Sequence, residues 1–264
     1  MTDDAPKTAP DNAPTPNNGG LTTRRLGFAA LALSVAALGL AAAPYFSREV
    51  LGGSVRSYLI AHPEVLDEVV AARQAGEDGA RVDAINAAVA ANAALLRPDP
   101  RDPAFGPADA KVTVIEFFDY RCPGCKAVSE DYLRLIRAHP DVRFVFKDWP
   151  ILDRDGPPLS QYAARAALAA HQQGKYLEVY EALMAERSLT PEAIDRILAE
   201  HGVAAPAAQR AIASPDTTRH IADIHTTAAA FKLTGTPTFL INGKTTASIA
   251  PEEVARAIEA AKAG

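Results

Sequence analysis

Cysteine is nearly absent from this chain: 264 residues hold two, Cys122 and Cys125. Two thiols cannot build a multi-bridge disulfide framework, and with no second cysteine pair they cannot supply a four-ligand zinc site. Positive charge is not in excess either, because 27 Lys and Arg stand against 32 Asp and Glu for a net charge of -5. With no basic patch interleaved with aromatics and no Gly-rich phosphate loop, the sequence makes no case for nucleic acid or nucleotide as a partner. The chain has no internal repeat. His220 and His225 have a finger-like spacing, but they lie far from the cysteines in a helical pattern. His62, His139, His171 and His201 are scattered and carry no assigned role. No cofactor is implied.

What is present is Cys122-Pro123-Gly124-Cys125, set between two different periodicities. Before it, Val112 to Phe118 is an apolar run that reads as a buried strand. After it, Val128, Tyr132, Leu135 and Ile136 recur at helical spacing between Lys126 and Arg137. The motif therefore falls at a strand-to-helix junction, with Cys122 near the helix N-terminus. Free N–H groups and the positive end of the helix dipole favour an anion there. That depresses a thiol pKa and makes the sulfur reactive. Cys125, one helical turn on, is placed to close or resolve a disulfide. A purely structural bridge over so short a loop would constrain the unfolded chain very little.

The N-terminus carries a second signal. Residues 1–25 are rich in Pro, Ala, Asp, Asn and Gly up to Gly20, then end on Arg24-Arg25, and are expected to form a disordered cytoplasmic tail. Leu26 to Phe46 is free of charge and mostly Ala and Leu, long enough to cross a bilayer once. The arginines before it favour an inner-membrane anchor with the rest of the chain in the periplasm. The alternative is a secretory signal cleaved after Ala41-Ala42-Ala43, leaving a soluble periplasmic protein, although Pro44 is a poor residue to follow such a site.

Residues 47–97 read as a helical extension. His62-Pro63 interrupts it, and an apolar stripe includes Val55, Tyr58, Leu59, Val65, Leu66, Val69 and Val70. The stripe must be covered, either by this chain or by the same helix of another copy. Residues 98–104, rich in Pro and Asp, read as a linker. The rest, 105–264, reads as βαβ, then helices over about 157–233, then ββα. Within it, Val142 to Lys147 is the second strand, Ser160 and Thr190 are helix caps, and four helices end near Phe231. Thr238 to Ile241 and Lys244 onward form a hairpin over Asn242-Gly243, and Pro251 opens a last helix. This is the order of an α/β, thioredoxin-like sandwich with a helical insertion.

Three motifs resemble the DsbA family of exported thiol-disulfide oxidoreductases: Glu116-Phe117-Phe118-Asp119-Tyr120 before the cysteines, Phe146-Lys147-Asp148-Trp149-Pro150, and Gly235-Thr236-Pro237-Thr238. The helical segment Val55 to Val65 is similar to that of the membrane-anchored or oligomeric DsbA-like proteins of Gram-negative bacteria. The resemblance implies that Cys122 attacks and Cys125 resolves. It implies that Pro237 is cis against the cysteine pair, with Thr236 left free to pair with an extended substrate. It makes Glu116 the buried acid beneath the motif, able to pass a proton to Cys125. Lys147 is either its partner or a solvated strand end. The Pro123-Gly124 dipeptide departs from the family's common choice of an aromatic residue or histidine before the second cysteine, and Thr236 is similar to the isomerase branch.

The implied activity is formation or isomerisation of disulfides in exported proteins through a mixed disulfide at Cys122. Cysteine-bearing exported proteins would be the substrates, and a membrane or soluble redox protein would recycle the pair. The alternatives are a thiol reductase serving cytochrome assembly and a non-redox oligomeric chaperone.

Overall fold

The computed structural model describes residues 19–153 and 156–264, with side chains for all of these except 19–26 and 43–51. The chain divides into two compact units, residues 1–72 and 73–264.

In the first unit, helix α1 runs Gly19–Ala61 and helix α2 begins at Glu64. Pro63 separates them, because it has no N–H to continue the ladder and excludes helical backbone from the residue before it. Helix α1 starts before the apolar run, so residues 19–25 are helical instead of part of an unstructured tail. Residues 1–18 of that expected tail lie outside the described residues. Among the described residues no helix is long and apolar enough to cross a membrane. Of the expected span, Leu26 and residues 43–46 lie outside the described side chains.

The second unit takes the rest of α2, to Ala91, and a single 3-10 turn, Ala93–Leu96. It continues with strands β1 (Ala104–Phe105) and β2 (Thr113–Phe118), helix α3 (Pro123–Ala138) and strand β3 (Arg143–Asp148). Helices α4 (Leu159–His171), α5 (Tyr176–Ala185), α6 (Pro191–Glu200), α7 (Ala205–Ala213) and α8 (Pro215–Ala230) follow. Strands β4 (Thr238–Ile241) and β5 (Lys244–Thr245) and helix α9 (Pro251–Ala263) close the unit. The sheet order is β1-β3-β2-β4-β5, with β2 and β3 parallel and the other pairs antiparallel. This is the α/β sandwich with a helical insertion that the element order implies.

Strand periodicity sends alternate residues of β2 to opposite layers. Val114 and Phe118 join a core with Val128 and Tyr132 of α3, Val179 and Leu183 of α5, and Val254 and Ile258 of α9. Ile115 and Phe117 join Ile224 and Ala228 of α8 in a second core. Because both faces are covered, the strand reads as a continuous apolar run. Asn242 and Gly243 both take positive φ, 46 and 81, as the tight hairpin requires.

Four expectations are corrected. First, residues 47–97 are not one separate extension: Ile85 and Val89 belong to the second core. The C-terminal part of the expected extension is therefore packed on this chain, whereas Val55, Tyr58, Leu66, Val69 and Val70 of the stripe are exposed. Second, the insertion holds five helices instead of four. Helix α7, Ala205–Ala213, buries its stripe through Ala208 and Ala211 with Ile212 beside them, small side chains that give a weak signal in sequence. Third, Ser160 does not cap α4. The N–H groups of Ser160 and Gln161 donate to the Asp153 carboxylate at 2.9 and 2.8 Å. Fourth, Lys147 is neither solvated nor paired with Glu116. It is 7% exposed and donates to Asp102 Oδ2 at 2.5 Å.

Asp102, in the expected linker, is thus a core residue. Burial pushes its carboxyl up to about 6, against the pull of Lys147. Removing one partner of a buried pair leaves the other charge uncompensated. Asp102→Ala should therefore destabilise the protein by about 3–5 kcal/mol in urea unfolding. A loss below about 1 kcal/mol would mean that Lys147 finds solvent without its partner.

Candidate active site

The chain leaves β2 through Asp119, whose carboxylate organises the loop that carries the cysteines. It accepts from Arg121 N at 2.7 Å and Ser160 Oγ at 2.9 Å through Oδ1. Through Oδ2 it accepts from Ile151 N at 2.8 Å and Leu152 N at 3.0 Å. One buried side chain thereby ties together the β2–α3 loop, the exit of β3 and the start of α4. Lys126 on α3 donates from Nζ to the carbonyls of Leu183, Met184 and Glu186 at 3.0, 3.1 and 2.8 Å. These cap the C-terminal end of α5, where a cation is favoured.

Cys122 is the N-cap of α3, and Pro123 takes the first helical position, where no N–H is needed. Its pKa is lowered to about 5, first by a hydrogen bond from the Cys125 side chain and then by the Thr236 side chain and the N–H groups of Cys125 and Gly124, against burial. Cys125 is 0% exposed. Burial pushes its thiol far up, and both the bond to Cys122 and the charge of Glu116 add to this. The two sulfurs are free thiols and differ sharply in chemistry: Cys122 is a thiolate at neutral pH and Cys125 is protonated.

Facing them is Thr236-Pro237, joined by a cis peptide bond. A neutral Cys122 thiol donates to the Thr236 carbonyl at 3.1 Å. That carbonyl can accept only from the thiol, whereas the Thr236 side chain acts in the opposite sense by favouring the thiolate. Gly124 sits where several groups converge. A Cβ added there would lie 3.3 Å from Pro237 Cδ, 3.5 Å from Ile249 Cδ1 and 3.7 Å from Cys122 Sγ.

Glu116 lies beneath, 0% exposed, among Val114, Phe118 and Phe146. Burial raises its pKa well above the usual carboxylate range, opposed by a hydrogen bond from Tyr180. The Tyr180 hydroxyl donates to Glu116 Oε2 at 3.4 Å.

The structure thus brings Cys122, Cys125, Thr236 and Pro237 together, with Glu116 beneath them. A family model described as Thioredoxin matches residues 99–260. The chain belongs to the thioredoxin family. A second model, the Copper resistance protein ScsC N-terminal domain, matches residues 48–77. A thioredoxin-like oxidoreductase from Silicibacter pomeroyi is 36% identical, covers 63% of this chain and 95% of its own, and superposes with a TM-score of 0.58. The thiol-disulfide exchange protein alpha-DsbA2 from Wolbachia pipientis superposes with a TM-score of 0.61 at 22% identity, covering 69% of this chain and 97% of its own; at that identity the likeness is one of fold. The match that spans the cysteines is thus to the thioredoxin family, and the ScsC-type match is confined to residues 48–77.

Among curated proteins it is 32% identical over 148 residues to the Na(+)/H(+) antiporter NhaA 3 of Salinispora tropica. Those residues are 55% of this chain, and the chain spans only 22% of the antiporter's length.

Sequence reasoning missed the groups around Glu116. Asp148, Tyr120, Tyr132, Tyr176 and Tyr180 are all buried. A signal for Asp148 was available, because period-2 alternation in β3 puts it on the same face as Phe144 and Phe146. Helical spacing marks Tyr132, Tyr176 and Tyr180 as core-facing and Tyr120 stands in the motif before the cysteines, but nothing local says that Tyr176 and Tyr180 reach the two acids.

The larger cavities of residues 73–264 lie away from the cysteines. One of about 250 Å³ is bordered by Asp102, Arg143 and Lys147 on the other side of the sheet.

Proposed function

We propose that the chain forms or isomerises disulfide bonds in exported proteins through a mixed disulfide at Cys122. The observation that carries this reading is the geometry of the pair: Cys122 is the N-cap of α3 beside the cis Thr236-Pro237 bond, and Cys125 is fully buried one turn on. In the reduced protein, the Cys122 thiolate attacks a client disulfide and one client sulfur leaves. In the oxidised protein, a client thiolate attacks Cys122 and Cys125 leaves. The acidity of Cys122 favours both its ionised state and its departure. The Thr236 backbone beside Pro237 supports strand-like pairing with an extended client segment. Glutathione disulfide tests the reading directly. In Cys125→Ser it should leave one adduct, at Cys122, by mass spectrometry, and in the unsubstituted protein it should give the Cys122–Cys125 disulfide with release of two glutathiones; formation of neither product would refute the proposal.

The cellular placement we propose is a periplasmic domain held by α1 in the inner membrane, recycled by a membrane or soluble redox partner. Phe28, Leu31, Leu33, Val35, Leu38 and Leu40 are all more than 60% exposed. The positions between them are Ala, Gly and a single Ser, so this stretch has no charged face, which suits a lipid environment better than water.

We also propose that residues 50–72 associate with the same segment of other copies. Val55, Tyr58, Ile60, Leu66, Val69 and Val70 are at least 50% exposed, apolar surface that association between copies would cover. Removing residues 1–72 should leave a monomer by light scattering, whereas a form starting at residue 47 should be larger. Equal masses per chain would refute self-association. The cut must stop at Ala72, because deletion through Arg97 would strip Ile85 and Val89 from the core.

A further inference from the structure

Strand β5 is the last of the sheet and only two residues long, pairing with β4 through Lys244 and Thr245. An edge strand leaves outward-facing N–H groups without a strand to receive them. Helix α2 supplies an acceptor for one of them: the Thr245 N–H donates to Asn86 Oδ1 at 2.9 Å. The hairpin is pressed on that helix and the turn after it. A Cβ added at Gly243 would lie 3.5 Å from Val89 Cγ1 and 2.9 Å from Leu96 Cδ1.

Beyond Thr245 the chain leaves the sheet and reaches α9 through residues 246–250, which are neither helix nor strand. Thr246 N makes one long bond back to the Phe239 carbonyl, at 3.4 Å. Among the described residues, the backbone of Ala247, Ser248 and Ile249 bonds to no other backbone group. Its tie is again α2, where Arg81 donates from Nη2 to the Ala247 carbonyl at 3.0 Å. The Arg81 charge is met by Asp78 at 2.8 Å, so its part here is to place backbone and not to attract a charged client.

What the segment carries is Ile249. Apart from Leu95, it is the one large apolar side chain left exposed among the described residues of 73–264, at 40%. It borders a small apolar crevice with Val128 and Leu135 of α3, Phe239 of β4 and Val254 of α9. It also reaches the reactive sulfur: the Cβ missing at Gly124 would touch Ile249 Cδ1, Pro237 Cδ and Cys122 Sγ at once. Because residue 124 has no side chain, the apolar group beside Cys122 comes from residue 249 and not from between the cysteines. Apolar surface left in water at a reacting atom is surface that an arriving substrate can cover.

We propose that Ile249 selects clients with an apolar side chain next to the reacting cysteine, and that Arg81 and Asn86 are the positioning residues that hold it beside Cys122. This rests on the thiol-exchange reading above. In the mixed disulfide the client cysteine is bonded to Cys122 Sγ, which brings its neighbouring residue within reach of Ile249. An apolar neighbour removes both side chains from water, and a polar one does not.

Blocked tripeptides Leu-Cys-Leu and Ser-Cys-Ser, each as its disulfide-linked dimer, test this on the full chain in its reduced form. Both dimers take one route. The Cys122 thiolate attacks a peptide sulfur and the other peptide leaves as a thiolate. Cys125, its proton lost to water, then attacks Cys122 Sγ and the second peptide leaves. The peptide disulfide is reduced to two thiols and the protein pair is oxidised. With each rate divided by that of the same dimer with free glutathione, the leucine dimer should react about tenfold faster than the serine dimer. In Ile249→Ser that ratio should fall to near one. In the double variant Arg81→Ala, Asn86→Ala it should fall about threefold, while the Cys122 thiolate titration, followed by its ultraviolet absorbance, stays where it was. The ratio cancels any change in the sulfur itself. Arg81→Lys, which keeps a donor for the Ala247 carbonyl, should retain most of what Arg81→Ala loses. If the double variant does not fold, Arg81→Ala alone, at a half-exposed side chain, should lower the ratio about twofold. A ratio near one in the unsubstituted protein would overturn the proposal, as would an undiminished ratio in Ile249→Ser or in the folded positioning variant. Failure of the reduced protein to react with either dimer or with glutathione disulfide would instead overturn the exchange reading, and this proposal with it.

Discussion

Changing Cys125 to serine should leave client proteins covalently linked to Cys122. In the unsubstituted protein the resolving sulfur sits one helical turn away, already hydrogen-bonded to Cys122. Well-oriented intramolecular attack corresponds to effective concentrations of about 10⁵ M or more. External thiols work at about millimolar levels, so without Cys125 release should slow by several orders of magnitude. Serine is close in size to cysteine, and Cys125 is 0% exposed, so the fold should tolerate the exchange with a modest cost for burying a hydroxyl. Non-reducing electrophoresis of cells expressing the variant should show high-mass species that vanish with reductant. A further Cys122→Ser change should remove them all. An intact fold with no trapped species would count strongly against catalysis by exchange and in favour of the oligomeric chaperone reading.

The second large effect is on redox poise. A Cys122 thiolate with a pKa of about 5 in place of 9 stabilises the reduced protein. The folded value is depressed, so the contribution is fully present above pH 9 and disappears as pH falls through 5. At pH 7 its upper bound is about 2.7 kcal/mol, and screening by solvent at the rim of the site leaves ~1–2 kcal/mol. For a two-electron couple that is about 20–40 mV in the oxidising direction. The reduced protein should therefore be harder to unfold in urea than the oxidised one at pH 7 by a margin that shrinks between pH 7 and pH 4. Equilibration in glutathione buffers gives the potential itself. A value above about -180 mV places the protein among disulfide donors and isomerases. One near -270 mV, that of thioredoxin, would instead favour the reductase serving cytochrome assembly. The lowered pKa contributes less to speed than to equilibrium, because a more acidic thiolate is also a weaker nucleophile.

The chemistry at the surface of the site was legible in one dimension. A cysteine pair between a period-2 run and a helical pattern places Cys122 at a helix start, and that placement depends only on local geometry. The order of elements, the Asn242-Gly243 turn and the break at Pro63 are equally local, fixed by backbone preferences within a few residues. Thr236 and Pro237 were reached through a motif, since nothing near them in sequence points back to residue 122.

Long-range pairing decided the rest. Alternation along β3 could put Lys147 and Asp148 on opposite faces, but only the folded chain assigns Lys147 to Asp102 and Asp148 to Tyr176. Asp102 read as linker because its surroundings are prolines and charges, yet it is buried because the sheet brings Lys147 to it. The stripe of residues 47–97 showed an apolar face without saying what covers it, and Ile85 and Val89 find their cover on strands far along the chain. The stripe of helix α7 is mostly alanine, and packing is what shows that Ala208 and Ala211 face the core. Local sequence by itself determined the reactive sulfur and the succession of elements, because capping, turns and periodicity act over a few residues. The tertiary structure alone decided which acid sits beneath which sulfur, because burial and charge pairing depend on groups that only the fold brings together.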